Sequence, residues 1–193
     1  MINIGVIGRY CSGKDTIAEY LVRKYNYKRI ALADPIRQIM KDFFGIENKS
    51  DPRNRKYAQI IGTNFRSLDK EVWINYLLKK VKQVDKPVVV SDVRFVNEAE
   101  KFLECNDLGE TKWELIYLNC PDEVRIERAK ARDGYFNPET LNHVSEMEVE
   151  KIYELYKDRL YVIDSSKSIE ENYRDVDLFT ENKLTQIQYQ LPF

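Results

Sequence analysis

Apolar runs of strand length alternate with amphipathic, helix-length stretches from the second residue onward. Ile2 to Ile7 is apolar throughout, and a helix is predicted from about Lys14 to Tyr25. Lys28 to Ala33 predicts a second strand, ended by Asp34-Pro35; Asp34 is expected to cap a helix that runs to Phe44 and stops at Gly45. Asp51-Pro52 repeats that start before a helix to about Ile61, and Asp69 to Val84 predicts another. Pro87 to Ser91 reads as a short buried parallel strand closing on Asp92. Trp113 to Asn119 is the next strand, Pro121 opens a helix to about Arg132, and Asp133 to Pro138 has loop composition. Helix resumes near Ser145 and runs to Asp158, Leu160 to Ile163 is a last strand, and a final helix starts near Ser168. This alternation predicts an α/β fold, a parallel sheet with helices on both faces. No repeat, low-complexity tract or linker divides the chain, so a single domain is expected over 1–193. The tail from about residue 176 is polar with scattered Tyr, Leu and Phe, open to docking on the domain or on a partner, a second copy included.

Composition narrows the partners. With 193 residues and a net charge of −1, the chain suits one full core and offers no global basic field for nucleic acid or a membrane surface. An anionic substrate must then be met by local Arg and Lys clusters. Three cysteines (Cys11, Cys105, Cys120) form an odd set without metal-ligand spacing, which fits reduced thiols in a cytoplasmic protein. No apolar run is long enough to span a bilayer, and the first strand begins at once, so no signal peptide is expected. His143 is the only histidine, which argues against histidine metal sites and Ser-His-Asp catalysis.

Against that background, Gly8-Arg9-Tyr10-Cys11-Ser12-Gly13-Lys14-Asp15-Thr16 changes the picture most. Two glycines with four residues between them, followed by Lys and preceded by an apolar strand, form a phosphate-binding loop. Gly8 and Gly13 are expected to use positive φ angles, turning backbone N–H groups of Tyr10, Cys11 and Ser12 inward around a polyphosphate. Lys14 adds a mobile cation, and the following helix aims its positive end at the same anion. A nucleoside triphosphate is the expected ligand, with Mg²⁺. The residue after the Lys, usually Ser or Thr for the metal, is here Asp15, with Thr16 next. Asp15 either complements the helix dipole or takes the Mg²⁺ role with its carboxylate.

Other clusters surround this loop in the predicted topology. Val88-Val89-Val90-Ser91-Asp92 is an apolar strand ending in a carboxylate, which places Asp92 at the loop mouth as a further metal-orienting group. Arg94 would reach the same crevice and grip phosphate. Arg53, Arg55 and Arg66 lie between the second and third strands, and Arg125, Arg128 and Arg132 share one helix face after the fourth. Such groups suit the acceptor site and the lid of a phosphoryl-transfer enzyme. Asn48-Lys49-Ser50-Asp51 matches a guanine-recognition pattern, but it precedes Asp92 and follows a helix stop, so Asp51 is read as a cap.

The stretches GRYCSGKDT (8–16), LADPIRQIMKDFFGI (32–46), IIGTNFRSLDKEVWI (60–74), VVVSDVRFVNEAE (88–100) and HVSE (143–146) resemble phage-type deoxynucleoside monophosphate kinases. These belong to the P-loop nucleoside monophosphate kinase group, with phosphomevalonate kinase and dephospho-CoA kinase as relatives. The resemblance covers roughly residues 2 to 165. It implies a five-stranded parallel sheet of order 2-3-1-4-5, an acceptor-binding insertion over about 45–85 and a lid over about 128–146. It implies that Gly8, Gly13, Lys14, Asp15 and Thr16 hold ATP and Mg²⁺, and that Arg125, Arg128 and Arg132 serve the lid and the phosphoryl groups. Asp34, Arg37, Arg66, Asp69 and Trp73 fall where acceptor recognition is implied, with Arg94 on the acceptor phosphate. The implied reaction is transfer of the γ-phosphoryl group of ATP to a deoxynucleoside monophosphate. Another phosphorylated metabolite as acceptor, and an ATP-binding switch without an acceptor, are the competing readings.

Overall fold

The structure is a computed structural model that describes residues 2–48, 50–109, 111–142 and 144–188. His143 and Lys49 of the Asn-Lys-x-Asp match lie outside the described residues. The chain divides into two compact units, one formed by the residues up to Arg29 together with those from Lys86 onward, the other by Ile30–Asp85.

The first unit holds the whole sheet. Its strands are β1 (Ile2–Gly8), β2 (Lys28–Arg29), β3 (Val88–Val93), β4 (Lys112–Asn119) and β5 (Leu160–Asp164). They pair in parallel in the order β2-β3-β1-β4-β5, the order the resemblance implies. β1 is buried along its full length because helices cover both faces. On one face, Ile4 and Val6 pack with Ile17, Ala18 and Leu21 of α1 (Lys14–Tyr25) and with Val176 and Phe179 of α8 (Ile169–Gln188). The expected polar tail thus continues a helix that contributes two core residues. On the other face lies α5 (Val96–Asp107), an element absent from the sequence expectation. Its Phe102 stacks on Trp113 with ring centres 4.0 Å apart. Glu98 starts this helix by accepting the backbone N–H groups of Arg94 at 2.9 Å and Phe95 at 3.1 Å. Helices α6 (Asp122–Asp133) and α7 (Val144–Tyr156) complete the unit.

The second unit is helical: α2 (Asp34–Phe44), α3 (Asn54–Leu68) and α4 (Val72–Val81). Gly45 stops α2 as expected, in a left-handed conformation with φ 65°. Several expectations shift: α3 begins at Asn54 with Arg53 at its cap position, so Asp51 is not the cap read from sequence, and α4 begins at Val72 rather than Asp69. β2 ends at Arg29 rather than Ala33, because residues 31–34 turn: Ala31 accepts from the Asp34 N–H, and the Asp34 carboxylate accepts from the Ala31 N–H at 2.8 Å. Asp34 is therefore the first helical residue, and Ala33 holds the cap position. Lastly, α3 runs through Gly62 to Leu68. Gly62 is buried beside Ile36 and Arg66, so close contact rather than a helix stop explains its place.

Candidate nucleotide-binding site

The phosphate loop leaves the C-terminal end of β1 and enters α1. Gly13 adopts φ 94° at the cap of α1, as expected of it. Gly8 does not take a positive φ, which corrects that expectation; it remains in the strand, and a Cβ there would collide with Ser12 Oγ and press on Leu118. The second left-handed residue is Cys11, with φ 59°. Its thiol pKa is raised, chiefly by burial and against the pull of Arg132, so the loop does not activate it as a nucleophile.

Lys14 is buried rather than mobile, and its Nζ donates to the Arg9 carbonyl at 2.7 Å. Burial, then the neighbouring Arg94 charge, lowers its pKa to about 7, with Glu146 and Asp15 acting in the opposite direction. Asp15 at the start of α1 pairs with Arg29 from β2 and accepts a hydrogen bond from Ser91 Oγ at 3.1 Å. Ser91 is thus the β3 side chain that meets Asp15, while Asp92 next to it is half-buried. Asp15, Thr16 and Ser91 offer carboxylate and hydroxyl oxygens, the donor chemistry Mg²⁺ accepts. No cluster of three or more His, Cys, Asp or Glu residues suited to a metal occurs among the described residues. That is compatible with a metal held by one or two protein oxygens and phosphate.

A cavity of about 250 Å³ adjoins the loop. Ser12, Gly13, Thr16 and Ile17 form one side, and Arg128, Ser165, Lys167 and Ile169 the other. Ser12 Oγ and Asn172 Oδ1, both at this cavity, are buried polar atoms without a hydrogen-bond partner. Unsatisfied buried groups are costly, and a polar ligand would relieve the cost. Arg128 is fixed here by donating to the Ser165 carbonyl at 2.7 Å.

The remaining arginines gather around one carboxylate. Glu146 of α7 is 1% exposed and lies 3.2 Å from Arg125 Nη1 and 3.3 Å from Arg94 Nη1. It also accepts the Tyr10 backbone N–H at 2.8 Å and stands 3.6 Å from Arg9 Nε. Arg125, expected beside the nucleotide, has its guanidinium in the interior, where it also donates to the Tyr10 carbonyl and pairs with Asp122. Arg132 pairs with Asp133 and lies over the Tyr10 ring, 5.0 Å from its centre. The Tyr10 hydroxyl donates to Asp133 at 2.7 Å, and burial followed by this bond pushes its pKa up to about 12.

In the helical unit, Arg66 Nη1 and Trp73 Nε1 both donate to the Gly62 carbonyl, at 3.3 and 3.2 Å. Trp73 is buried, stacked on Phe65, whereas Asp34 and Arg37 form an exposed ion pair and Asp69 holds the turn before α4 by accepting the Glu71 N–H. Sequence reasoning gave no role to Arg9, Arg29, Ser91, Asp122 or Glu146. The only signal was the HVSE stretch containing Glu146, a carboxylate at a helical position that turns inward.

A phosphate loop between β1 and α1, in a parallel sheet of this order, is the architecture of a P-loop protein. Residues 4–150 match the family described as AAA domain, and the chain belongs to that family. A protein of Acanthamoeba polyphaga mimivirus named "Putative deoxynucleotide monophosphate kinase" is 27% identical, covering 94% of this chain and 97% of its own. A gluconokinase from Sinorhizobium meliloti 1021 shares the fold, with a TM-score of 0.60 at 21% identity over 95% of this chain and 96% of that one. No helix among the described residues is long and apolar enough to cross a membrane.

Proposed function

We propose that the protein transfers the γ-phosphoryl group of ATP to the phosphate of a deoxynucleoside monophosphate, giving ADP and the diphosphate. The observation that carries this reading is the pairing of two cations at one place. Arg94 after β3 is close enough to Lys14 of the phosphate loop for its charge to act on the Lys14 ammonium. A loop that only bound ATP would need the first; a second, guanidinium cation suits a second phosphate. The mimivirus relative supports the deoxynucleotide acceptor.

In this reading Lys14 and the loop N–H groups other than those of Tyr10 and Ser12, which donate to Glu146 and to the Arg9 carbonyl, hold the β- and γ-phosphates, and the cavity beside Arg128 receives the nucleoside part of ATP. Arg94 draws the acceptor phosphate toward the γ-phosphoryl group. No side-chain nucleophile is required, since positioning and charge neutralisation carry phosphoryl transfer. Mg²⁺, when bound, would neutralise phosphate charge, with Asp15, Thr16 and Ser91, and Asp92 next to Ser91, as the residues to hold it. Asp34, Arg37, Arg66, Asp69 and Trp73 are assigned to the acceptor-recognition region, and residues 128–146, with Arg132, to the lid.

The test is ADP release with ATP alone and with ATP plus a panel of nucleoside and deoxynucleoside monophosphates. Stimulation by a deoxynucleoside monophosphate is the expected result. Stimulation by another phosphorylated metabolite alone would move the acceptor class, and none by any acceptor would leave an ATP-binding switch.

A further inference from the structure

Glu146 is a buried carboxylate engaged from several elements at once, and the reaction as described makes no use of it. Its two oxygens face cations or an N–H group from three places in the chain: the phosphate loop, the start of α5 and α6. A buried carboxylate is costly unless it is paired and hydrogen-bonded, so this arrangement holds together only with its cations in place. One oxygen, Oε2, takes the Tyr10 N–H and Arg125, which ties the outer turn of the phosphate loop to α6. The other, Oε1, takes Arg94. The phosphate loop and the second cation are therefore referred to the same side chain.

We propose that Glu146 is a positioning residue for phosphoryl transfer: its carboxylate sets Arg94 and the phosphate loop in register, so that Lys14 and Arg94 face one phosphate-binding space as two cations. The inference rests on the phosphoryl-transfer reading above. The geometry of the loop agrees with it. Lys14 Nζ donates to the Arg9 carbonyl at 2.7 Å, and Arg9 Nε stands 3.6 Å from the same Glu146 oxygen that takes the Tyr10 N–H.

The experiment is steady-state kinetics of the full chain with ATP and a deoxynucleoside monophosphate varied in turn, beside the affinity for ATP by displacement of a fluorescent ATP analogue. It compares wild type with Glu146→Gln, Glu146→Asp, Arg94→Gln and the Glu146→Gln/Arg94→Gln double variant. Arg94→Gln should raise KM for the monophosphate by about tenfold with ATP affinity near wild type. Glu146→Gln should reproduce that rise and also weaken ATP binding, and the double variant should raise KM for the monophosphate no further than Arg94→Gln does, because Glu146 acts there through Arg94. Glu146→Asp should recover part of both losses. A purely structural role would lower kcat with both KM values unchanged, or add its loss to that of Arg94→Gln; either outcome would overturn the proposal. Should Glu146→Gln fail to fold, Glu146→Asp alone and combined with Arg94→Gln decides it by the same criteria. Wild type that binds ATP but phosphorylates no monophosphate defeats the acceptor reading, and the change in ATP affinity in folded Glu146→Asp then decides on Glu146. Wild type that binds no ATP overturns both.

Discussion

Because Lys14 is buried beside Arg94, its ammonium gives up a proton near pH 7 instead of near pH 10.5. The folded state then binds fewer protons than the unfolded chain between those values, so this group costs stability below about pH 7, and the cost fades as pH rises toward 10.5. Lys14→Met should therefore melt at a higher temperature than wild type at pH 6, with the gap narrowing above pH 7; thermal scans of both proteins across pH check this. The same variant should lose turnover by about a thousandfold, since the β- and γ-phosphates lose their cation. Near-normal activity in the folded variant would remove the phosphate-loop assignment. Asp15 is a second residue of this kind. Its carboxylate is held by Arg29 and Ser91, close to where the metal is assigned. Asp15→Asn should raise the Mg²⁺ concentration needed for half-maximal rate, and Asp15→Ser should restore part of it. Unchanged Mg²⁺ titrations in both variants would leave Asp15 only its dipole and ion-pair roles.

At the scale of elements, α6 and α7 meet through Arg125 and Glu146, whose side chains are both 1% exposed. Arg125→Ala would leave part of the Glu146 charge uncompensated in the interior, at a cost of about 3 kcal/mol. Arg132, 57% exposed on the same helix, should cost less than about 0.5 kcal/mol when replaced by Ala. Urea unfolding of the two variants checks the contrast, and equal losses would show that the Arg125 pair is not the fastening of these helices. The arginine spacing on α6 indicated a common face; in the structure Arg125 is buried, Arg128 half-buried and Arg132 exposed. Which arginine is interior and which is exposed follows from what α7 and the phosphate loop bring against it. Elements with strong local signals appear where expected: α1 spans Lys14–Tyr25, and Gly45 ends α2. The boundaries moved for different reasons: a local turn of residues 31–34 ends β2 early, the contact of Gly62 with Ile36 lets α3 run past the expected stop, and α4 is shorter at both ends than expected.

For the whole molecule, the donor and acceptor assignments divide between the two units, and kinetics can separate them. Arg128 lines the cavity beside the phosphate loop, so Arg128→Ala should raise KM for ATP. Arg66 belongs to the helical unit, so Arg66→Ala should raise KM for the monophosphate with less effect on ATP. Varying each substrate in turn, at two ionic strengths, distinguishes these outcomes from a general loss of positive charge. Indistinguishable profiles would mean that the two groups are assigned wrongly. Much of this plan is written locally in the chain. The strand, the glycine spacing, Lys14 and the helix start lie within one short stretch, and their chemistry depends on near neighbours; the alternation of apolar and amphipathic segments likewise announces a parallel α/β sheet. The strand order entered only through resemblance to known kinases, because pairing joins residues far apart and hydrophobic period carries no address. Tertiary structure alone decided that Lys14 is buried and folded back on Arg9, that Gly8 is needed for space rather than for φ, and that Ser91 and Arg29 reach Asp15. It alone placed Glu146 among Arg9, Arg94 and Arg125. Burial and charge pairing are sums over neighbours drawn from the whole chain, and no local window of sequence contains them.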